Sequence, residues 1–251
     1  MSDHQPSALS HQPSSPQPSA ITHRIVAFLE VLICSDYPTQ AALQVTFRAL
    51  GYGPYVAPGQ LRVAFVVGVS LLDAVLLIGL VFLFLRAHGE RPRDVIVGNV
   101  NVAAEISAGI LLTLVTFAIA GGVLLAIQYL APSLHTVPNN PLQGLLNSPR
   151  NAWTFAIVVI IAGGVREEIQ RAFLLHRFEQ WLGGGSVGII VTSVAFGAGH
   201  LQLQGADAAI AIGLIGAFWG VVYLKRRSAI APIVSHSAFD LLQIAQFLVA
   251  R

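Results

Sequence analysis

Apolar residues run along this chain in long blocks separated by short polar breaks. Leu61–Leu85 and Val102–Leu130 are nearly continuous runs, each enough for a helix that crosses a bilayer. Ile25–Leu50 is equally apolar but is interrupted by Ser35-Asp36-Tyr37-Pro38. A proline there removes a backbone donor and restricts the residue before it, so the segment reads as one broken span or two short helices. Pro132–Arg150 holds four prolines and reads as a loop outside the hydrocarbon. Asn151–Leu182 begins as a purely apolar helix, turns amphipathic after Val165 and stops at Gly183-Gly184-Gly185. Ser186–His200, Ala208–Leu224 and Ala229–Val249 complete the set. The pattern predicts an all-α, polytopic transmembrane helix bundle of about seven to eight helices. Residues 1–22 differ: Ser10–Ser19 is Ser, Pro, Gln and His without apolar periodicity. They read as a disordered cytoplasmic tail, and not as a secretory signal, before a single transmembrane domain over residues 23–251.

Composition agrees with the blocks. The chain has 251 residues, of which 55% are hydrophobic and only 10% charged, with a mean hydropathy of +0.70. Soluble domains carry about a quarter charged residues, so this chain lacks the polar surface that water demands. The lipid bilayer is its expected surroundings, and the inner (plasma) membrane of a bacterium its expected location. A net charge of +2 is too small to point to nucleic acid as a partner. One cysteine, Cys34, excludes an internal disulfide and a cysteine-based structural metal site.

Arginine and lysine set the orientation. Arg86, Arg91 and Arg93 mark one cytoplasmic loop, and Lys225-Arg226-Arg227 another. Alternation then places Pro132–Arg150 outside and the Gly183 turn inside. At the helical rise, Glu167 and His200 lie about 22 and 21 Å from that turn, in one layer of the bilayer, and His236 about 14 Å from Arg227.

Ionisable side chains inside such spans are costly, and several in consecutive spans point to a site. Glu167, Glu168 and Arg171 sit within one helix, His200 ends the next apolar block, and His236 and Asp240 lie in the last. Glu167 or Glu168 can pair with Arg171 at a spacing of four or three. Asp240, four residues after His236, can orient the imidazole or position water. Phe196, one turn before His200, can wall the site, and Gly197 and Gly199 permit close helix approach. A carboxylate and two histidines in a pocket that excludes water can activate water against an amide. Glu167, His200 and His236 are also suitable ligands for one divalent metal ion such as zinc. Each residue alone has a plainer reading. A single membrane histidine is more often a helix–helix hydrogen-bonding group, and the charges around Arg171 can form a structural cluster. Glu30, Asp73 and Glu105 read as lone acids, His176, Arg177 and Glu179 as an interfacial face, and Trp153, Trp181 and Trp219 as anchors or packing.

Taken in order, Glu-Glu…Arg, Phe-x-x-x-His and His-x-x-x-Asp resemble the motifs of the CPBP (CAAX protease and bacteriocin-processing, Abi) family, which includes the type II CAAX prenyl endopeptidases. The resemblance covers about Trp153–Gln246, including Tyr223–Ser228 and Ala231-Pro232-Ile233. It implies a membrane bundle of about eight helices that hydrolyses a peptide bond in a membrane-associated peptide or protein. It also implies Glu167, His200 and His236 as the catalytic set, supported by Glu168, Arg171, Phe196 and Asp240. Two departures stand out. The family spaces its first motif Glu-Glu-x-x-x-Arg, whereas here the arginine follows one residue early, in Glu167-Glu168-Ile-Gln-Arg171. The last motif has Asp240 where asparagine is usual. Aligning on the glutamates makes Glu167 the base, with a one-residue helical bulge to restore register. Aligning on Arg171 instead puts Arg166 in the catalytic position, as expected of an inactive membrane scaffold with the same fold. An ion- or proton-coupled transporter is a third class, but it calls for paired broken helices or inverted repeats, which the sequence does not display.

Overall fold

The computed structural model describes residues 19–136 and 142–249. The expected disordered tail falls mostly on residues 1–18, outside that range. Its last residues are already helical: Ser19 caps a helix by accepting a hydrogen bond from the Thr22 backbone N–H (3.3 Å). The α-helices among the described residues are α1 (Ala20–Ile33), α2 (Tyr37–Ala49), α3 (Val63–Ala87), α4 (Pro92–Ile96), α5 (Val102–Leu130), α6 (Pro149–Val158), α7 (Glu168–Trp181), α8 (Gly185–Arg226) and α9 (Ile230–Val249). A π-helical segment, Val159–Glu167, joins α6 to α7 without a break. The fold is all-α, with one small exception that the sequence pattern misses. Tyr55–Ala57 pairs antiparallel with Gln60–Leu61 in an exposed hairpin between α2 and α3.

Among the described residues three helices, α3, α5 and α8, are by themselves long and apolar enough to cross a membrane. The all-α, membrane-type bundle expected from the sequence is what the fold shows, and the other helices do not qualify as spans singly for a local reason. α1 and α2 have 14 and 13 residues and cross, if at all, only as a pair. The α6–π–α7 rod is long enough but carries Arg166, Glu167, Glu168 and Arg171 at its middle. Lipid-facing leucines and valines cover the outside of the bundle: Val75, Leu114 and Val194 are each about 70% exposed.

Both basic loops lie at one end. The Ala229 N–H donates to the Ile96 carbonyl (2.8 Å), the Tyr223 hydroxyl to the Val95 carbonyl (3.0 Å), and Arg227 pairs with Glu179. The Gly183 turn joins them, as the loop charges require. α8 is one stretch of helix only by its ends. Gly205 sits at φ 91, ψ 171, and the chain reverses there, so that the Gly197 face of the first arm meets the Ala209 carbonyl of the second. One apolar core sits at the basic end around Leu85, Phe173, Leu175 and Tyr223. Another lies at the far end around Leu145, Phe155 and Ile244.

The break between α1 and α2 lies deep in the bundle. α1 runs antiparallel to α7: His23 stacks on Trp181, Glu30 meets Arg177, and the Cys34 carbonyl accepts from Gln170 Nε2 (2.8 Å). The chain thus turns at the level of Gln170, and Asp36 there adopts φ 80. Such a conformation costs a non-glycine residue roughly 1–3 kcal/mol and persists only where its surroundings hold it.

Candidate active site

The π segment is what brings the acidic pair to the last helix. One extra residue per turn rotates everything after it as a block; the segment ends at Glu167, so it redirects the acidic pair and Arg171 together and leaves the short Glu-Glu…Arg spacing as it is. Gly163 and Gly164 then let α9 approach closely. A Cβ on Gly163 would stand 2.8 Å from Asp240 Oδ2, and one on Gly164 would overlap Ser237 Oγ. The sequence reading leaves this glycine pair without a role. Its position two residues before a pair of carboxylates is the signal that marks it.

His236 is the centre of the arrangement. It is 5% exposed, and its ring stacks on Trp219, with centroids 4.0 Å apart and planes at 21°. His236 Nδ1 lies 2.8 Å from Glu168 Oε1. Its Nε2 faces two further carboxylates, Asp240 Oδ2 at 3.5 Å and Glu167 Oε2 at 3.8 Å. Glu168 is 1% exposed and also holds Arg171, its neighbour three residues on. Arg171 in turn lies over the Phe196 ring (4.9 Å) and near Trp219 (5.7 Å). Glu168, not Glu167, is therefore the partner of Arg171, and Glu167 keeps an oxygen toward His236. Trp219 belongs to this site, although the sequence reading makes it an anchor or packing residue. Nothing in its local pattern separates it from the other two tryptophans.

His200 comes from the first arm of α8. Its Nδ1 donates to its own helix at the Phe196 carbonyl (2.9 Å), and its ring meets the Phe196 ring edge-on at 5.0 Å. That bond fixes the tautomer, and among the described residues Nε2 has no hydrogen-bond partner. Among the described residues His200 makes no hydrogen bond or ion pair with Glu167, His236 or Asp240, and its charge reaches Asp240 only at longer range. Tyr37, at the start of α2, closes this side by donating its hydroxyl to the Ala195 carbonyl (2.6 Å).

Arg166 takes a different direction. Among the described residues its ion pairs are with Asp36 (3.0 Å), Asp73 (3.6 Å) and Glu167 (3.5 Å), and of these three only Glu167 also faces His236. Asp73 is thus not a lone acid. Neither are Glu30, which pairs with His88 and Arg177, and Glu105, which pairs with Arg226. Arg177 is 2% exposed rather than interfacial.

Both imidazoles tie Nδ1 to an oxygen, the usual preparation of a metal ligand. Among the described residues, however, no three His, Cys, Asp or Glu side chains form a group able to hold a metal ion. A cavity of about 320 Å³ lies elsewhere, between α5 and α8, lined by Ala108, Leu111, Leu112, Val222, Lys225 and Arg226.

Comparison with protein families returns one match. Residues 149–242 match the family described as "Type II CAAX prenyl endopeptidase Rce1-like". This segment is Rce1-like. The match begins at the start of α6 and ends two residues after Asp240, so it holds the π segment, both glutamates and both histidines. The resemblance to the CPBP family read from the motifs is borne out over this segment, whose family is one of peptidases. No curated protein and no solved structure matches the chain. α1 to α5 lie outside the Rce1-like segment.

Proposed function

We propose that the protein is an intramembrane endopeptidase that hydrolyses a peptide bond in a membrane-associated peptide or protein. The basic end would face the cytoplasm of a bacterium, and residues 23–251 would act as one transmembrane domain. The observation that carries the reading is the environment of His236. Its Nδ1 is held by a buried carboxylate while its Nε2 faces Glu167 and Asp240 inside a segment that matches peptidases.

Glu167 is the general base. Its carboxylate takes a proton from a water placed between it and the histidines, and the resulting hydroxide attacks the scissile carbonyl. His236, with Glu168 on Nδ1, presents an Nε2–H in its protonated form to the developing oxyanion. Glu168 stays ionised because it is shared with Arg171, and it keeps the ring from turning. Glu167 then passes its proton to the leaving amine. Asp240 orients His236 rather than reacting. His200, through Nε2, accepts from the attacking water and fixes its approach. Glu167, His200 and His236 are of the residue types that bind a divalent ion such as zinc, but among the described residues no three such side chains are grouped to hold one, and the chelator arm of the test below decides whether a metal takes part.

The scaffold reading rested on Arg166 standing where the base belongs. Its guanidinium is engaged by Asp36 and Asp73, which supports the hydrolytic reading instead.

The test is cleavage of a prenylated peptide with a C-terminal Cys-aliphatic-aliphatic-X sequence by the full chain in proteoliposomes, with and without chelator. Release of the C-terminal fragment is followed by mass spectrometry. Cleavage that Glu167→Gln and His200→Ala each abolish supports the assignment, and loss on chelation assigns a metal. Equal turnover by wild type and His200→Ala would overturn it.

A further inference from the structure

Asp36 is the residue in this bundle whose backbone and side chain both need explanation. It stands at the α1–α2 break with φ 80, although it is not glycine. Its Oδ2 accepts from Gln40 Nε2 (2.7 Å) and lies 3.0 Å from Arg166 Nη1. Arg166 Nη1 also donates to Gln170 Oε1 (3.2 Å), and Gln170 Nε2 donates to the Cys34 carbonyl, so the rod that carries the acidic pair also satisfies the broken end of α1. The other face of the guanidinium completes the chain of contacts. Arg166 Nη2 lies 3.5 Å from Glu167 Oε1, and the other oxygen of that carboxylate, Oε2, faces His236. Asp36, Asp73 and the break are all outside the Rce1-like segment.

We propose that Asp36 and Arg166 are positioning residues for Glu167, so that the broken first span is part of the hydrolytic machinery. The proposal rests on the reading of Glu167 as the base. A glutamate carboxylate, held by a chain of freely rotating single bonds, has no fixed direction of its own. A guanidinium is planar and presents donors at fixed angles, so holding it from Asp36 fixes where Glu167 Oε1 lies and leaves Oε2 toward the water. Strain in a backbone persists where the surroundings demand it. Here the demand is that a carboxylate reach Arg166 from a helix that would otherwise pass it by.

The test uses the full chain in proteoliposomes and the prenylated peptide that wild type cleaves. Asp36→Asn and Arg166→Gln should each lower kcat by about 10–100-fold with KM within about twofold, since they act through the base and not on substrate. In a Glu167→Gln background, Arg166→Gln should cost less than about twofold more, because the group that it positions is already gone. A merely structural arginine would lower activity by the same factor in both backgrounds. Monodisperse elution and an unchanged thermal midpoint identify the folded variants. Asp36→Asn carries the test if Arg166→Gln does not fold, because Arg166 then still has Asp73 and Glu167. Wild-type kcat in Asp36→Asn while Glu167→Gln is inactive overturns this proposal alone. Wild-type turnover in Glu167→Gln overturns the base assignment and this proposal with it.

Discussion

Two clusters of acids, histidines and arginine are built on the same rod, and they are finished differently. At the basic end, Arg177 Nε meets Glu30 and its Nη1 meets Glu90, both at 2.6 Å. His88 closes on Glu30 (2.6 Å), and His176 and Gln180 close on Glu90 (2.8 and 2.7 Å). The guanidinium also lies over Phe173. In the candidate site the carboxylates are as close to a histidine, but Nε2 of His236 makes only contacts of 3.5 and 3.8 Å to Asp240 and Glu167. The first cluster is closed: its carboxylate oxygens are already matched to donors at hydrogen-bond distance. The second is open on one side of one ring. Closed networks hold helices together, whereas a ring nitrogen and two carboxylates that face one another beyond hydrogen-bond distance keep hydrogen-bonding capacity for a reacting molecule.

The largest expected effect comes from the open side. Glu167→Gln should lower turnover by at least about 100-fold, the range of a general-base contribution, while the protein still inserts and elutes as wild type. An assay on reconstituted protein checks it. Little loss would erase the difference between the two clusters.

Removing the arginine of the closed cluster should do the reverse. Arg177→Ala leaves Glu30 and Glu90 without their shared partner and should destabilise by about 3–5 kcal/mol, read as a lower denaturation midpoint. Turnover per folded molecule should stay at the wild-type level, because nothing in this cluster reaches His236.

Asp240→Asn sharpens the comparison within the site. It restores the residue usual at this motif position and keeps the shape. A loss of about tenfold or less is expected, smaller than for Glu167→Gln, because the residue orients rather than reacts. A loss as large as that of Glu167→Gln would make Asp240 the base.

The smallest effect is a pH dependence at the basic end. Burial pushes the Glu90 carboxyl up, but hydrogen bonds from His176, Gln180 and Arg177 outweigh it and hold the group down at about 2, against 4.5 in the unfolded chain. A depressed carboxyl stabilises fully above the unfolded value and loses that contribution as pH falls toward the folded one. Wild-type stability should therefore decline between about pH 4.5 and 2. Glu90→Gln should flatten that part of the decline, which thermal midpoints across the window would reveal.

The sequence by itself determined the class of the protein. Run length and hydropathy sufficed for α3 and α5, because a long apolar segment must form its own backbone hydrogen bonds in lipid. Loop arginines placed both basic loops at one end, and Ser-Asp-Tyr-Pro marked the break at Asp36. The motif order carried the resemblance, because those residues lie close together along short stretches. The tertiary structure alone decided which partner each charge takes. Glu167 and Glu168 are both within reach of Arg171 by pattern, at four and three residues, and only the packing of other elements on the rod shows that Arg171 shares Glu168 with His236 and that Arg166 meets Asp36. The pairs Glu30–Arg177 and Asp36–Arg166 join residues more than 100 positions apart, a separation that no periodicity records. Trp219 reached His236 the same way. Direction in a helix changes by about 100° per residue, so one extra residue in one turn redirects every side chain after it.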